Sequence, residues 1–208
     1  MKYTNENKNI MHEVGHFLMY TLYLTTNKRF DKKLFTSKII ELSIVPNPEE
    51  NTAGHLTTVD NISKVKNRLC RSYTLLSGVL FSTYLVEHNW NCEFSKIKEI
   101  EHNFVHIYCD HGGGSDLESL VTSDRSMTFH KTAVYIQELK KIMFDLWDNE
   151  VIRKIMRQLY RGLQKNKCME KEKLFNIIEP HIPELKKLGK QIYNAPNKFR
   201  LDAKALLF

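Results

Sequence analysis

The sequence predicts a mainly α protein of the α+β class, a helical domain with one small β element. Apolar residues recur at helical spacing through most of its 208 residues. Chain-breaking residues cluster at a few places, notably Pro46 and Pro48, Gly112 to Gly114, and Pro180 with Pro183. Only the stretch 38–59 carries strand-like runs bounded by turn residues.

Taken in order, the first helix is expected over Asn9–Tyr23, with Ile10, Met11, Val14, Phe17, Leu18 and Leu22 apolar and no proline. Thr25–Ser37 is polar and basic and reads as a connection. Lys38–Pro46 contains Ile39, Ile40, Leu42, Ile44 and Val45, a strand that Pro46 and Pro48 stop. After the turn-rich Asn47–Asn51, Gly54–Val59 reads as a second strand. A long helix is expected over Ile62–Val86 and a shorter one over Phe94–Val105. The glycine run then breaks the chain, and Ser115-Asp116-Leu117-Glu118 reads as a capping box opening a helix to Met127. Helices follow over Lys131–Trp147, Glu150–Lys165 and Glu170–Ile178. Pro180 and Pro183 interrupt the pattern, and the last twenty residues look loosely structured. Residues 1–148 are expected to form the core, with a helical region 149–208 packed on it or merged into one domain.

Composition narrows the function classes. No run approaches the ~18 apolar residues of a membrane span. The N-terminus (Lys2, Asn5, Glu6, Asn7, Lys8) lacks a signal-peptide core, so a soluble, cytoplasmic chain is expected. Cys70, Cys92, Cys109 and Cys168 form no C-x-x-C pair and read as reduced thiols. The net charge of +7 comes mostly from the last third, where cations alternate with apolar helix positions. That pattern reads as a solvated helix face, so neither nucleic acid nor membrane is expected as a partner.

The chemistry is concentrated in His12-Glu13-Val14-Gly15-His16, an HExxH motif. On a helix the two imidazoles stand one above the other and can share one Zn²⁺. Glu13, one step round, lies beside such an ion, where it can act as general base on an activated water. Asp116 falls in the first turn of its helix, where the dipole keeps a carboxylate ionised and suited to ligate a metal. His111 or Asp110 could replace it, since the glycines let that loop approach in several ways. His102 and His106 repeat the four-residue spacing near Cys109, but Asn103 stands where a base would be needed, and a polar helix face is the simpler reading. His55 is expected as a surface strand residue.

The third ligand separates the HExxH classes. A metzincin needs Gly and His where this chain has Met19 and Leu22. A thermolysin-like enzyme needs a helical Glu downstream, and the nearest acid, Glu41, falls in the strand-like run. The flanks resemble instead the FtsH-type ATP-dependent zinc metalloproteases. HEVGH is similar to their HEAGH, Leu42-Ser43-Ile44-Val45-Pro46 to "VSIIP", and Ala53-Gly54-His55-Leu56-Thr57 to "LGVT". Leu75-Leu76-Ser77-Gly78 resembles "LLGG", and Gly112 to Glu118 resembles "GASNDLE". The basic helix Glu150–Lys165 is similar to a later "EVRRI…AYERA" helix. The resemblance spans roughly residues 9 to 180, and only HEVGH and SDLE within it are specific.

The resemblance implies an FtsH peptidase-like fold, Zn²⁺ held by His12, His16 and Asp116, and Glu13 as catalytic base. It further implies that the strand holding Leu42, Ile44 and Val45 binds an extended polypeptide substrate by edge pairing. Two departures stand out. An acidic residue that follows LLGG in the family is Ser82 here, and the family's ATPase module and membrane anchor are not in these residues. A stand-alone peptidase acting on flexible chains is therefore expected, or one served by a separate ATPase or regulatory partner, with homo-oligomers possible. The alternative is a latent or non-catalytic zinc protein that binds peptides or partners.

Overall fold

A computed structural model describes residues 5–46, 54–88, 113–124 and 127–194. The protein is mainly helical with a small antiparallel sheet. Its elements are α1 (Asn5–Thr25), α2 (Lys32–Thr36), β1 (Ile39–Ser43), β2 (His55–Thr58), a 3₁₀ turn (Ile62–Lys64) and α3 (Arg68–His88). Then come α4 (Gly114–Ser123), α5 (Phe129–Asp148), α6 (Glu150–Asn166), β3 (Cys168–Glu170), α7 (Lys171–Ile178), a 3₁₀ turn (Glu179–His181) and α8 (Ile182–Tyr193). No helix among the described residues is long and apolar enough to cross a membrane.

Helix α1 is the axis of the fold. Ile10, Met11, Val14, Phe17, Leu18, Met19 and Leu22 are fully buried and point to several sides, as a helix enclosed by others must. It packs most extensively on α3 and also meets α6, α8, β1 and β2. At the α1–α3 crossing a Cβ on Gly15 would lie 2.8 Å from the Ser77 carbonyl, so the glycine sets how closely the two helices approach. Because α1 is central, its HExxH segment is carried into the interior.

The sheet order is β2-β1-β3, both pairings antiparallel. Leu42 faces Leu56 on one side and Met169 on the other. The third strand was not foreseen: Lys167 adopts the left-handed conformation (φ 63°) after α6 and turns three residues back onto β1. Leu42 and Ile44 are buried, and the Ile44 amide donates to the Lys167 carbonyl at 2.8 Å. The expected substrate strand is thus an interior strand with both backbone edges in use. Leu42 and Ile44 serve the core, and of the three named residues only Val45, just past the strand, is exposed.

Other boundaries shift for local reasons. Within the expected connection, Asp31 caps α2 by accepting from the Leu34 amide at 2.8 Å, and buried Phe35 anchors that turn. The expected helix 62–86 divides, because Val65 is extended and Asn67 accepts from the Cys70 amide to start α3. Helix α4 begins one residue before Ser115, with Gly113 at the N-cap and no side-chain cap, so no capping box forms; Asp116 still lies in the first turn. It ends at Ser123, because Asp124 turns extended and pairs with Arg68 and Arg71. The expected helix 94–105 lies outside the described residues.

The C-terminal region is more ordered than its prolines suggested. Pro183 stands in the first turn of α8, where its missing amide hydrogen is not needed. Leu185 and Tyr193 are buried, and the Tyr193 hydroxyl donates to the Met19 carbonyl at 2.9 Å. Gly189 lies tight against α1, where a Cβ would run into the Leu22 carbonyl and lie 2.7 Å from Thr25 Oγ1. An exposed helical glycine gains about 1 kcal/mol on replacement by alanine. Gly189→Ala is expected instead to lose about 2–3 kcal/mol through overpacking, read from the midpoint of urea unfolding. An unchanged or raised midpoint would mean α8 does not seat on α1 in this way.

Candidate metal centre

His12 and His16 stand one turn apart on α1, their rings edge to face with centroids 4.6 Å apart. Asp116 reaches both from the start of α4. Its Oδ2 lies 3.1 Å from His12 Nε2 and 3.4 Å from His16 Nε2. Among the described residues this is the one group of three or more His, Cys, Asp or Glu side chains with clustered ligand atoms, all within 4.8 Å of one another.

Three observations test whether these residues suit a zinc ion. Ligands about 2.05 Å from a tetrahedral ion stand roughly 3.3 Å from each other; the two nitrogen–oxygen separations bracket that value, while the set of three ligand atoms is held only within 4.8 Å, so the imidazoles would draw together around an ion. Two imidazoles and a carboxylate, leaving one position open, form a donor set suited to zinc catalysis. The His16 Nδ1–H donates to the Thr74 carbonyl at 2.6 Å. A carbonyl only accepts, so Nδ1 holds the hydrogen and Nε2 is turned toward Asp116, the kind of support that orients metal-binding imidazoles.

Helix α3 supplies the back wall. One turn beyond Thr74, a Cβ on Gly78 would lie 2.6 Å from both His12 Nε2 and His16 Nε2. Bare backbone there leaves room for the two nitrogens to converge. Glu13 lies alongside, 5% exposed, and its Oε2 is buried without a hydrogen-bond partner. A buried polar atom without a partner calls for an explanation, and a base that meets a water would supply one; Thr21 Oγ1 and Ser72 Oγ share the feature. The chain entering β2 closes over this carboxylate: a Cβ on Gly54 would come within 3.0 Å of Glu13 Cγ and 3.1 Å of Oε1.

No protein-family model, curated protein or solved structure matches the chain.

The electrostatics follow from burial among mixed charges. Burial pushes the Glu13 carboxyl up, against the opposing pull of His16 and His12. Burial also works against charge on His16 and Asp116, but their mutual attraction wins for both. Asp116 is held well below the usual carboxylate range, and His16 is raised from 6.5 to about 9. A histidine with a raised folded pKa stabilises the fold fully below its unfolded value and loses that contribution as pH rises through the folded one. The metal-free protein is therefore expected to melt at a lower temperature at pH 8.5 than at pH 6.5. A zinc ion bound there would take the place of the proton, so the protein with zinc added is expected to show a smaller drop. Equal drops in the two forms would argue against ion and proton competing for His16.

The remaining candidates sort as follows. His55 lies partly exposed in β2; its Nε2 is 3.2 Å from Glu41 Oε1, while the Cys168 thiol donates to Glu41 Oε2 at 3.4 Å. Ser82 is buried, and its hydroxyl donates to the Val79 carbonyl one turn back. His102, His106, Cys109, Asp110 and His111 lie outside the described residues. Sequence reasoning missed the roles of Gly78 and Gly54. A glycine inside a helix costs about 1 kcal/mol, so Gly78 in the middle of α3 was the available signal.

Proposed function

We propose that this protein is a zinc-dependent metallopeptidase of FtsH type that hydrolyses peptide bonds in flexible polypeptides. The observation that carries the reading is the convergence of His12, His16 and Asp116 beside a buried, unpartnered Glu13. The order of the HEVGH, LLSG and SDLE segments along the chain supports it. Zn²⁺ held by these side chains would acidify a water molecule and polarise the scissile carbonyl.

The chain's own residues supply the rest. Glu13 takes the proton of the attacking water and returns it to the departing amide nitrogen. The Thr74 carbonyl keeps His16 in the tautomer that offers Nε2. With β1 interior, the sheet edges are β2 and β3, and the edge that starts beside Glu13 is β2. Main-chain pairing with His55–Thr58 would hold an extended segment with little regard to side chains, which favours broad specificity over flexible substrates. A separate ATPase would extend the substrate range to folded proteins.

A latent or purely binding form is the second reading, and one observation favours it. His12, His16, Asp116 and Glu13 are all at least four-fifths buried, so the site admits little solvent as it stands. The deciding experiment is incubation of the zinc-loaded protein with an unfolded protein substrate, with chelator and zinc-restored controls. Cleavage abolished by chelation and restored by zinc supports the peptidase. Intact substrate with one equivalent of zinc retained supports the latent form.

A further inference from the structure

Helix α6 carries Arg153, Lys154, Arg157, Arg161 and Lys165 but only one acid, Glu150. Its apolar side, with Ile152, Ile155, Met156, Leu159, Tyr160 and Leu163, is buried in the core. The cations therefore occupy the outer side, where Lys154, Arg157, Arg161 and Lys165 are exposed. Arg153, Arg157, Arg161 and Lys165 recur every fourth residue, which sets them in one row about 18 Å long at about 6 Å intervals.

The row works against its own helix. Successive like charges four residues apart repel, and here three such steps follow one another. Arg153 and Lys154 also stand close to the helix N-terminus, whose dipole disfavours cations. Nearby carboxylates do not offset this: no ion pair found among the described residues engages any of these five. The spacing of these cations by itself fits a solvated face, but exposed helix faces commonly alternate charges of both signs and this one carries a single sign beyond Glu150.

We propose that this face of α6 binds the phosphodiester backbone of nucleic acid without regard to sequence. Guanidinium groups engage phosphate oxygens in paired hydrogen bonds, and the row is richer in arginine than lysine. The exposed Gln158 and Gln164 among the cations add neutral hydrogen-bond donors. An anionic bilayer is the poorer match, because a helix that lies in a membrane surface inserts an apolar face, and the apolar face of α6 is already spent on the core. The surface is independent of the metal centre and of the activity assigned to it.

The test is fluorescence anisotropy of a labelled 20-base-pair DNA duplex titrated with the full chain between 50 and 200 mM salt. Four or five phosphate contacts predict a log–log salt slope of about −4, an affinity loss on the order of 100-fold across that range. R157E with R161E is expected to weaken binding at least about tenfold and flatten the slope by about 2. K64E with K66E alters net charge equally at exposed positions outside α6 and is expected to change binding far less. R157Q with R161Q, which removes charge without reversing it, is expected to fall between. Both arginines are exposed, so circular dichroism of these variants is expected to match the parent. Absent duplex binding at 50 mM salt, equal losses in the two reversal pairs, or tighter binding to phosphatidylserine vesicles than to duplex would each overturn the proposal.

Discussion

Glu13→Gln is expected to slow peptide hydrolysis by about 100- to 10,000-fold while leaving one zinc bound per chain. Glutamine matches glutamate in shape but cannot take a proton, so the change removes the base and little else. The three side chains that converge on the candidate ion are His12, His16 and Asp116, and none is touched. The fold is expected to tolerate the change, because Oε2 has no hydrogen-bond partner to lose. Substrate cleavage and metal content measured on the same preparation decide the matter. A variant that keeps more than a tenth of the activity would remove Glu13 from the mechanism. A variant that loses its zinc would show instead that this carboxylate belongs to the ligand set.

Gly78→Ala is expected to weaken zinc binding by about 100-fold with only a modest change in stability. The added methyl would stand 2.6 Å from both Nε2 atoms, so the imidazoles must move off the point where they converge with Asp116. Those atoms end side chains that can rotate, which is why the fold survives while the site does not. The scale follows from disturbing the groups that orient metal ligands, which costs 10- to 100-fold, with direct displacement at the upper end. Gly15→Ala provides the contrast. There the new Cβ meets the Ser77 backbone carbonyl at 2.8 Å and Phe81 at 3.0 Å, so stability is expected to fall. Competition with a chromophoric chelator measures the first effect and urea unfolding the second. Parental zinc affinity in Gly78→Ala would mean that the ion does not sit between these two imidazoles.

Much of the helical architecture was legible because each helix carries its own period. The expectations for α5, α6 and α7 fall within two residues of the observed ends, since capping groups such as Thr128 and Asn149 act locally. Short or non-local features were not legible. Helix α2 is five residues held by one cap and one buried phenylalanine, too short to show a period. Strand β3 is three residues whose only reason to be extended is a partner 127 residues earlier in the chain. The family resemblance made the strand of Leu42 and Ile44 a substrate edge, whereas β3 pairs with β1 on its second side and both side chains are buried. Helix α8 was lost because Pro183 was read as a breaker, although a proline in the first turn starts a helix as readily as it ends one.

At the candidate site the division is sharper. The sequence by itself determined that the two imidazoles and the Glu13 carboxylate share adjoining turns of one helix, because residues four apart on an α-helix lie on the same face. It also put Asp116 at a helix start, where an ionised carboxylate is favoured. Only the tertiary structure decided that Asp116 arrives within 3.1 Å of a histidine 104 residues away. It alone brought Gly78 behind the imidazoles, Gly54 over Glu13, and β2 to the edge nearest the base. Periodicity and capping are short-range and can be read along the chain. Contacts between distant segments depend on how α1, α3 and the sheet pack together, and no local stretch of sequence encodes that packing.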